Sequence, residues 1–429
     1  MTKNTDSILE YVLANVKPSE KELREIKKKL AEYTEKIRKN LRRIKVNADI
    51  FVGGSAAKGT LIKKDVYDID LFLRFDKKYK NEILSDLAEK AISGMRGMRV
   101  HGSRDYFRIK ISEGIFLEIV PVRRIKNPAE AENVTDLSYS HVNYIKKKVK
   151  SQKLLDEIRL AKAFCYANNA YGAESYVRGF SGYAIELLVY HYKGFLKFVK
   201  EIAKMKYHGN NKSVIDIEKR HKNKGSILID LNEAKLKSPI ILVDPTYKQR
   251  NVLAALSEET LGNFQNTCKK FLKKPSAAFF LQKKIDLEKI KKNSYSKGYD
   301  FLELKMTTNK QEGDIAGSKL LKFYRHLSEE AGKFFDIKEK GFEYNREKSA
   351  KIFFAGKKRQ WIVTNGPTVD DKSNSERFRA AHRSVFIKNS RLYSKEGINL
   401  TLKEFIRKFK DKNQKKIGDM SITRIEILD

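Results

Sequence analysis

The sequence predicts a multidomain α+β protein, and three observations support this fold class. The chain has 429 residues, more than one hydrophobic core usually organises, so several domains are expected. Strand and helix patterns alternate in the first third, helical periodicity dominates the middle, and strands mixed with helices return in the last part. These shifts predict a head at 1–150, a helical central domain at 151–275 and an α/β body and tail at 276–429.

The head is predicted from helix caps and strand alternation. Ser19 and Glu22 fit a capping box at the start of a long helix with an apolar stripe at helical spacing. Ser112-Glu113-Gly114 is typical of a hairpin turn between two strands. Strands are predicted at 48–52, 67–75, 106–111 and 115–122, and helices at 7–16, from 19, from 55, and at 78–92.

The central and C-terminal parts follow from longer periodic runs. Lys273-Lys274-Pro275 stops a helical pattern and marks a domain boundary. A Lys/Asn/Gly-rich segment at 208–225 is typical of a loop. Helices are predicted at 154–168, 183–204, 253–272, 315–331, 375–385 and 402–409, and strands at 301–306, 341–344, 351–355 and 361–363.

The charge balance favours a polyanionic partner. Lys and Arg number 90 against 54 Asp and Glu, a formal net charge of +36, which indicates nucleic acid before an anionic membrane. A lysine-rich proteome is the alternative explanation. No run reaches the roughly 18 apolar residues of a membrane span, and the first residues lack the apolar core of a signal peptide. Because Cys165 and Cys268 are typical of reduced, buried thiols, we expect a cytoplasmic protein.

A glycine-serine turn follows the first predicted strand. Gly53 and Gly54 let the backbone approach a ligand closely, and Ser55 opens a short helix with a hydroxyl and free N–H groups. Lys58 adds a positive charge one turn later. The turn is therefore a candidate phosphate cradle, and an ordinary strand-turn-helix is the alternative interpretation.

Three carboxylates on two predicted strands form the candidate metal site. Strand alternation places Asp68 and Asp70 on one face, where adjacent like charges repel unless a cation joins them. Glu118 is the single charge in an apolar strand and is costly there unless paired or metal-bound. Carboxylate oxygens are ligands that Mg²⁺ prefers, so the three predict a two-metal catalytic site. The alternatives are a solvated strand face for each Asp and a salt-bridged core residue for Glu118.

These motifs together resemble the archaeal, class I CCA-adding enzymes (tRNA nucleotidyltransferases) of the DNA polymerase β-like superfamily. The superfamily signature is Gly-Ser followed by Asp-x-Asp, which corresponds here to Gly54-Ser55 and Asp68-Ile69-Asp70. The similarity is strong over about 1–275 and loose beyond. Further segments that carry it are 135–141, 160–164 with 171–174, 178–188, 244–245, 250–252, 254–257 and, more weakly, Gly366-Pro367.

The resemblance implies a nucleotidyltransferase head, a helical central domain that completes the nucleotide pocket, and a body and tail that bind the acceptor end of tRNA. It implies addition of C, C and A from CTP and ATP with Mg²⁺ as cofactor. The family is often dimeric, so a homodimer stays open. It also implies that His141, Lys162 and Tyr171 join Gly54, Ser55 and Lys58 at the triphosphate, that Arg250 recognises the base, and that Asp68, Asp70 and Glu118 bind Mg²⁺.

The sequence also leaves alternatives open. Lys58 and Glu118 stand where many members of the family have arginine and aspartate, and Lys63-Lys64 replaces a common turn. Another RNA 3′-tailing enzyme that adds only A, and a non-catalytic RNA-binding protein of the same fold, are the two other functions. Structural roles for single residues are a helix cap for His141, a snorkelling charge for Lys162, packing for Tyr171, surface ion pairs for Arg178 and Arg250, and core packing for Trp361.

Overall fold

The computed structural model describes residues 2–207, 212–282 and 285–428. The chain divides into two compact units, Met1–Lys283 and Lys284–Asp429, and the α+β multidomain class is confirmed. No helix in these three ranges is long and apolar enough to cross a membrane.

The first unit begins with a mixed sheet backed by helices. Its sheet has the order β1-β2-β5-β4-β3, in which only the β2–β5 pair is parallel. The core face of the sheet packs on α2 and α4 through aliphatic side chains. The elements are α1 (Thr2–Val16), α2 (Glu20–Arg43), β1 (Ala48–Val52), α3 (Gly54–Lys58), β2 (Tyr67–Phe75), α4 (Leu84–Ala91), β3 (Gly97–Val100), β4 (Tyr106–Ser112), β5 (Ile115–Arg123) and α5 (Ser138–Lys148).

The rest of the first unit is mainly helical. Its core is rich in phenylalanine, and the Phe164 ring lies between those of Phe195, Phe264 and Phe271 at centroid distances of 5.2–5.6 Å. The elements are α6 (Gln152–Ala167), α7 (Gly182–Tyr192), α8 (Phe195–Lys204), β6 (Ser213–Ile215), α9 (Lys224–Asp230), α10 (Glu233–Leu236), β7 (Ile240–Leu242) and α11 (Glu258–Lys273).

The second unit holds two antiparallel sheets. The larger, of order β14-β8-β10-β9, packs on α13 and α15, and the smaller has the order β11-β13-β12. The elements are α12 (Leu287–Ser296), β8 (Asp300–Thr308), α13 (Asp314–Phe334), β9 (Phe335–Tyr344), β10 (Ser349–Lys358), β11 (Trp361–Thr368), α14 (Lys372–Ala381), β12 (Val385–Lys388), β13 (Arg391–Gly397), α15 (Leu402–Lys412), α16 (Gln414–Asp419) and β14 (Ile422–Leu428).

The smaller sheet is covered on one side only. On the α14 side, Leu392 and Ser394 are buried, and the Phe378 ring fills the space beside Gly366. The other side, which we name the open face, carries aromatic and basic side chains, whereas Glu396 of β13 lies on the covered side, paired with Ile362. The open face consists of Trp361, Val363, Asn365, Thr368, Phe386, Lys388, Arg391, Tyr393 and Lys395. The sequence-based interpretation of Trp361 as a core residue is wrong, because its side chain is 46% exposed.

Several element boundaries differ from those expected. The helix expected at 183–204 is two helices, because Lys193 and Gly194 take φ values of +58° and +134°, which end α7. The helix expected at 78–92 has its α-helical part at Leu84–Ala91. The segment expected as a loop lies partly outside the described residues, and Ser213–Ile215 within it is a strand.

Candidate active site

Two adjacent strands bring the acidic side chains to one face of the first sheet. β2 and β5 pair in parallel with Asp70 opposite Glu118, and paired residues of neighbouring strands point to the same side. Asp68 lies two residues before Asp70 and therefore shares this side. Ile69 and Leu71, which alternate with the two aspartates along β2, are fully buried on the core face. The acidic face is thus a consequence of strand alternation against a buried apolar face.

The backbone of the glycine turn packs closely against Asp70. The Gly53 N–H donates to the Asp70 carbonyl oxygen at 2.9 Å, and Gly54 has a φ of +54°. A β-carbon at Gly54 would overlap the Asp70 carboxylate, so only glycine fits there. Ser55 lies in the first turn of α3, and Lys58 lies at its end. The turn and the carboxylate are therefore one packed unit.

The electrostatics of the carboxylates suit a cation. Burial raises the pKa of Asp70 to about 6; nearby Lys58 lowers it and Asp68 raises it. Asp68 accepts from the Arg108 guanidinium at 2.9 Å. Within the described ranges no group of three acidic, histidine or cysteine side chains already has the spacing of a metal site. Hard carboxylate oxygens on one face, with one pKa raised by burial, nevertheless fit Mg²⁺.

A buried glutamate on α7 joins two of the candidate phosphate-binding lysines. The Glu186 side chain is fully buried, and its Oε2 accepts from the Lys58 ammonium at 2.6 Å. Its Oε1 accepts from the Lys162 ammonium and from the Thr60 hydroxyl, each at 2.7 Å. Because the Lys162 side chain is 2% exposed and bound to Glu186, the snorkelling interpretation is wrong.

The opposite charges of this cluster stabilise one another. Burial alone would raise the pKa of Glu186, but the ammonium groups of Lys162 and Lys58 bring it well below its usual range. Burial lowers the pKa of Lys162, and Glu186 opposes that shift. A carboxylate between two ammonium groups leaves the cluster with a positive charge.

A second buried acid, Asp244, binds two of the predicted site residues, His141 and Arg250. Its Oδ2 accepts from His141 Nε2 at 2.9 Å and from Arg250 Nη1 at 2.8 Å. Its Oδ1 accepts from the Tyr183 hydroxyl at 3.2 Å and from the Thr246 hydroxyl at 2.8 Å. His141 also stacks on Tyr183, with ring centroids 4.1 Å apart. His141 and Arg250, which are 109 positions apart in sequence, therefore meet on one carboxylate.

Tyr171 lies beside the lysine cluster. A β-carbon at Gly182 would lie 3.0 Å from the Tyr171 hydroxyl and 3.7 Å from Lys162 Nζ, so the two side chains meet at the start of α7. The Lys64 ammonium lies 4.7 Å from the Tyr171 ring centroid. Burial raises the pKa of the Tyr171 hydroxyl above its usual range, and Glu186 adds to the shift.

Sequence reasoning missed Glu186, Asp244 and Tyr183 as site residues. Glu186 is the single charge between Ile185 and Val189, which is the same signal that identified Glu118. The signal was present and could have been used for Glu186. The sequence around Asp244 and around Tyr183 carries no such signal, so only the fold identifies these two residues as part of the site.

Two family models match the two parts of the first unit. Residues 34–131 match the model of the nucleotidyltransferase domain, and residues 156–281 match that of the tRNA nucleotidyltransferase second domain. A cytoplasmic RNA terminal U-transferase structure superposes with a TM-score of 0.51 at 14% identity, covering 66% of this chain and 100% of that one. The Cid1 poly(U) polymerase with Mg and 3′-dATP bound gives the same values. Both likenesses show the fold alone.

The fold and the arrangement of the site define a nucleotidyltransferase. The CCA-adding enzyme of Nanoarchaeum equitans is 35% identical over 357 residues, which is 81% of this chain and 83% of that protein. The CCA-adding enzyme of Archaeoglobus fulgidus is 29% identical over 424 residues, which is 93% of this chain and 88% of that protein. The chain belongs to the CCA-adding enzyme family, and the resemblance found in its motifs is confirmed.

Proposed function

We propose that this protein adds C, C and A to the 3′ end of tRNA, using CTP and ATP and releasing pyrophosphate. The observation that carries the proposal is membership of the CCA-adding family together with the in-register pair Asp70 and Glu118 beside the glycine turn. The domain limits 1–150, 151–275 and 276–429 and a cytoplasmic location belong to the same proposal, and a homodimer remains one alternative.

The acidic face supplies the reacting centre in this proposal. Asp68, Asp70 and Glu118 would hold Mg²⁺, which when bound supplies Lewis-acid polarisation of the attacking 3′-hydroxyl and charge neutralisation on the phosphates. The packing of Gly54 against Asp70 fixes the carboxylate relative to the turn that would receive the triphosphate. Positioning and electrostatic stabilisation are the main contributions a protein makes to phosphoryl transfer.

The remaining site residues bind and orient the nucleotide. Ser55 and Lys58 would contact the triphosphate from α3, with Lys162 and Tyr171 on one side and His141 on the other. Lys58 and Lys162 share Glu186, and the excess positive charge of that cluster attracts phosphate oxygens. Arg250, held by Asp244, would present its guanidinium to the base of CTP or ATP.

The second unit would bind tRNA through backbone charge and aromatic contact. The open face combines Trp361, Phe386 and Tyr393 with three basic side chains, and the Lys395 ammonium lies 3.7 Å from the Trp361 ring centroid. Basic side chains bind phosphates, and exposed rings stack on unpaired bases. This composition supports tRNA as the macromolecular partner.

The test is incorporation into a tRNA that ends at the discriminator base. With CTP alone we expect addition of two C residues, and with CTP and ATP together a complete CCA end. Addition of A without C would identify an A-adding enzyme instead. Equal label in the presence of Mg²⁺ and of excess EDTA would contradict the metal assignment, and no incorporation of either nucleotide would favour a non-catalytic RNA-binding protein.

A further inference from the structure

We propose that Glu186 and Asp244 are positioning residues with separate duties, Glu186 for the triphosphate of any nucleotide and Asp244 for discrimination between CTP and ATP. The inference rests on the proposed function. Both acids act through the cationic side chains that they bind, and neither needs to touch the substrate.

Glu186 holds two like charges together. Without its carboxylate, the ammonium groups of Lys58 and Lys162 would face each other in a buried space and repel. They come from α3 and α6, and Glu186 on α7 is the group that binds both. Because every nucleoside triphosphate carries the same phosphates, a displaced lysine pair should weaken CTP and ATP binding equally.

Asp244 binds Arg250, the residue proposed to recognise the base of CTP or ATP. Its Oδ2 binds Arg250, and its own N–H donates to the Arg250 carbonyl oxygen at 3.0 Å, so both the side chain and its loop depend on Asp244. The same Oδ2 binds His141 on α5. Since CTP and ATP differ in the base, a released Arg250 should change the preference between them.

The α7 helix contributes one side chain to each of the two hydrogen-bonded clusters. Tyr183 and Glu186 lie one turn apart on α7, with the Tyr183 hydroxyl bound to Asp244 and the Glu186 carboxylate bound to the lysines. Each acid therefore has its own set of bound donors. This arrangement predicts that replacing Glu186 changes the binding of both nucleotides equally. Replacing Asp244 should change the preference between CTP and ATP, in addition to a common effect on both nucleotides through His141.

The experiment compares E186Q and D244N by steady-state kinetics, with CTP on tRNA ending at the discriminator base and ATP on tRNA ending in CC. For E186Q we expect the KM of both nucleotides to rise by the same factor, about ten- to a hundredfold, with a smaller change in kcat. For D244N we expect the ratio of kcat/KM for CTP and ATP to change by about tenfold or more.

Matched controls remove a neutral contact to each acid. T60V loses a hydroxyl that donates to Glu186 and accepts from the Lys162 ammonium, and T246V loses one that donates to Asp244, while all charges stay. We expect both to change either quantity by less than about threefold.

Further variants test the role of the charge. E186D, which keeps the charge, should raise the KM of both nucleotides less than E186Q does. If E186Q does not fold, E186Q/K162M removes one buried charge of each sign and should raise both KM values. If D244N does not fold, D244E, which keeps the charge but lengthens the side chain by one methylene, should move Arg250 and change the ratio by a smaller factor.

Two results would overturn the inference. One is an E186Q enzyme whose KM values are unchanged, or whose CTP to ATP ratio changes as much as that of D244N. The other is a folded D244N enzyme with the wild-type ratio. Equilibrium binding of CTP and ATP without tRNA repeats the comparison without catalysis. Failure of the wild-type protein to add C would contradict the proposed function and would leave this binding comparison intact.

Discussion

The two units of this chain use charge in opposite ways. In the first unit, the side chains of Glu186, Asp244 and Asp136 have no exposed surface, and each forms an ion pair with a lysine or arginine side chain. In the second, the open face presents Lys395 and its aromatic neighbours to solvent. Buried pairs are little screened and fix geometry, whereas exposed charges are screened beyond about 8 Å at physiological salt and mainly attract. The comparison supports the proposal that the first unit carries the chemistry and the second attracts RNA.

The largest effect that would sharpen this comparison is expected at Asp70. We expect D70N to reduce nucleotide incorporation by about a thousandfold or more, because a positioned charge at the reacting centre is lost. tRNA affinity should change little. The measurement is single-turnover incorporation with a parallel tRNA-binding titration. D49N is the control, since Asp49 is half exposed and pairs with Arg124 at 2.9 Å. Comparable activity of D70N and D49N would remove Asp70 from the site.

The next effect concerns stability and compares a buried with an exposed ion pair. Arg104 Nη1 lies 2.5 Å from Asp136 Oδ1, and neither side chain is more than 6% exposed. D136A leaves Arg104 buried without its carboxylate, so we expect a loss of about 3–5 kcal/mol in unfolding free energy. E113A breaks the exposed pair with Lys110 and should cost at most about 1 kcal/mol. Urea unfolding measures both, and equal losses would contradict the comparison.

A smaller effect is expected for base recognition. R250A should reduce discrimination between CTP and ATP by about tenfold, because a charge-assisted hydrogen bond is lost. The ratio of kcat/KM values measures it, and R220A is a control, since Arg220 binds the Pro245 carbonyl oxygen in the same region. A variant that discriminates as sharply as the wild type would show that Arg250 does not recognise the base.

The smallest effect is expected on the open face. W361A and K395A should each weaken tRNA binding by about three- to tenfold, and K395A should reduce the salt dependence, because one phosphate contact is lost. KM for CTP should stay unchanged. K351A, which removes a lysine paired with Glu303 on the larger sheet, is the control. A tRNA affinity that is equal in all three variants would mean that the open face has another partner.

Local patterns predicted the strands of the acidic face well. Alternation located Tyr67–Phe75 without error and Ile115–Arg123 within one residue, and the capping box at Ser19 is present as expected. The metal-site hypothesis, rather than alternation, required Glu118 to share a side with Asp70, and the register confirms that it does. The strand limits and the helix cap depend on residues that are close in sequence, so a local pattern is enough to predict them.

Long-range features could not be predicted in the same way. The apolar pattern continues from Val189 to Phe198, so the break at Lys193 and Gly194 was hidden by a periodicity that both helices share. The Glu186 cluster joins α3, α6 and α7, and no local signal states which distant charges will meet. The open face was missed because Trp361 alternates with half-buried residues over too short a stretch to show which side is covered.

The fit of Gly54 against Asp70 has a practical consequence. A methyl group at position 54 would displace the carboxylate while removing no functional side chain and no charge. We therefore expect G54A to lose activity although every acidic and basic side chain of the protein is kept. Such a variant changes the position of the Asp70 carboxylate while keeping its charge, which a charge-deleting variant cannot do.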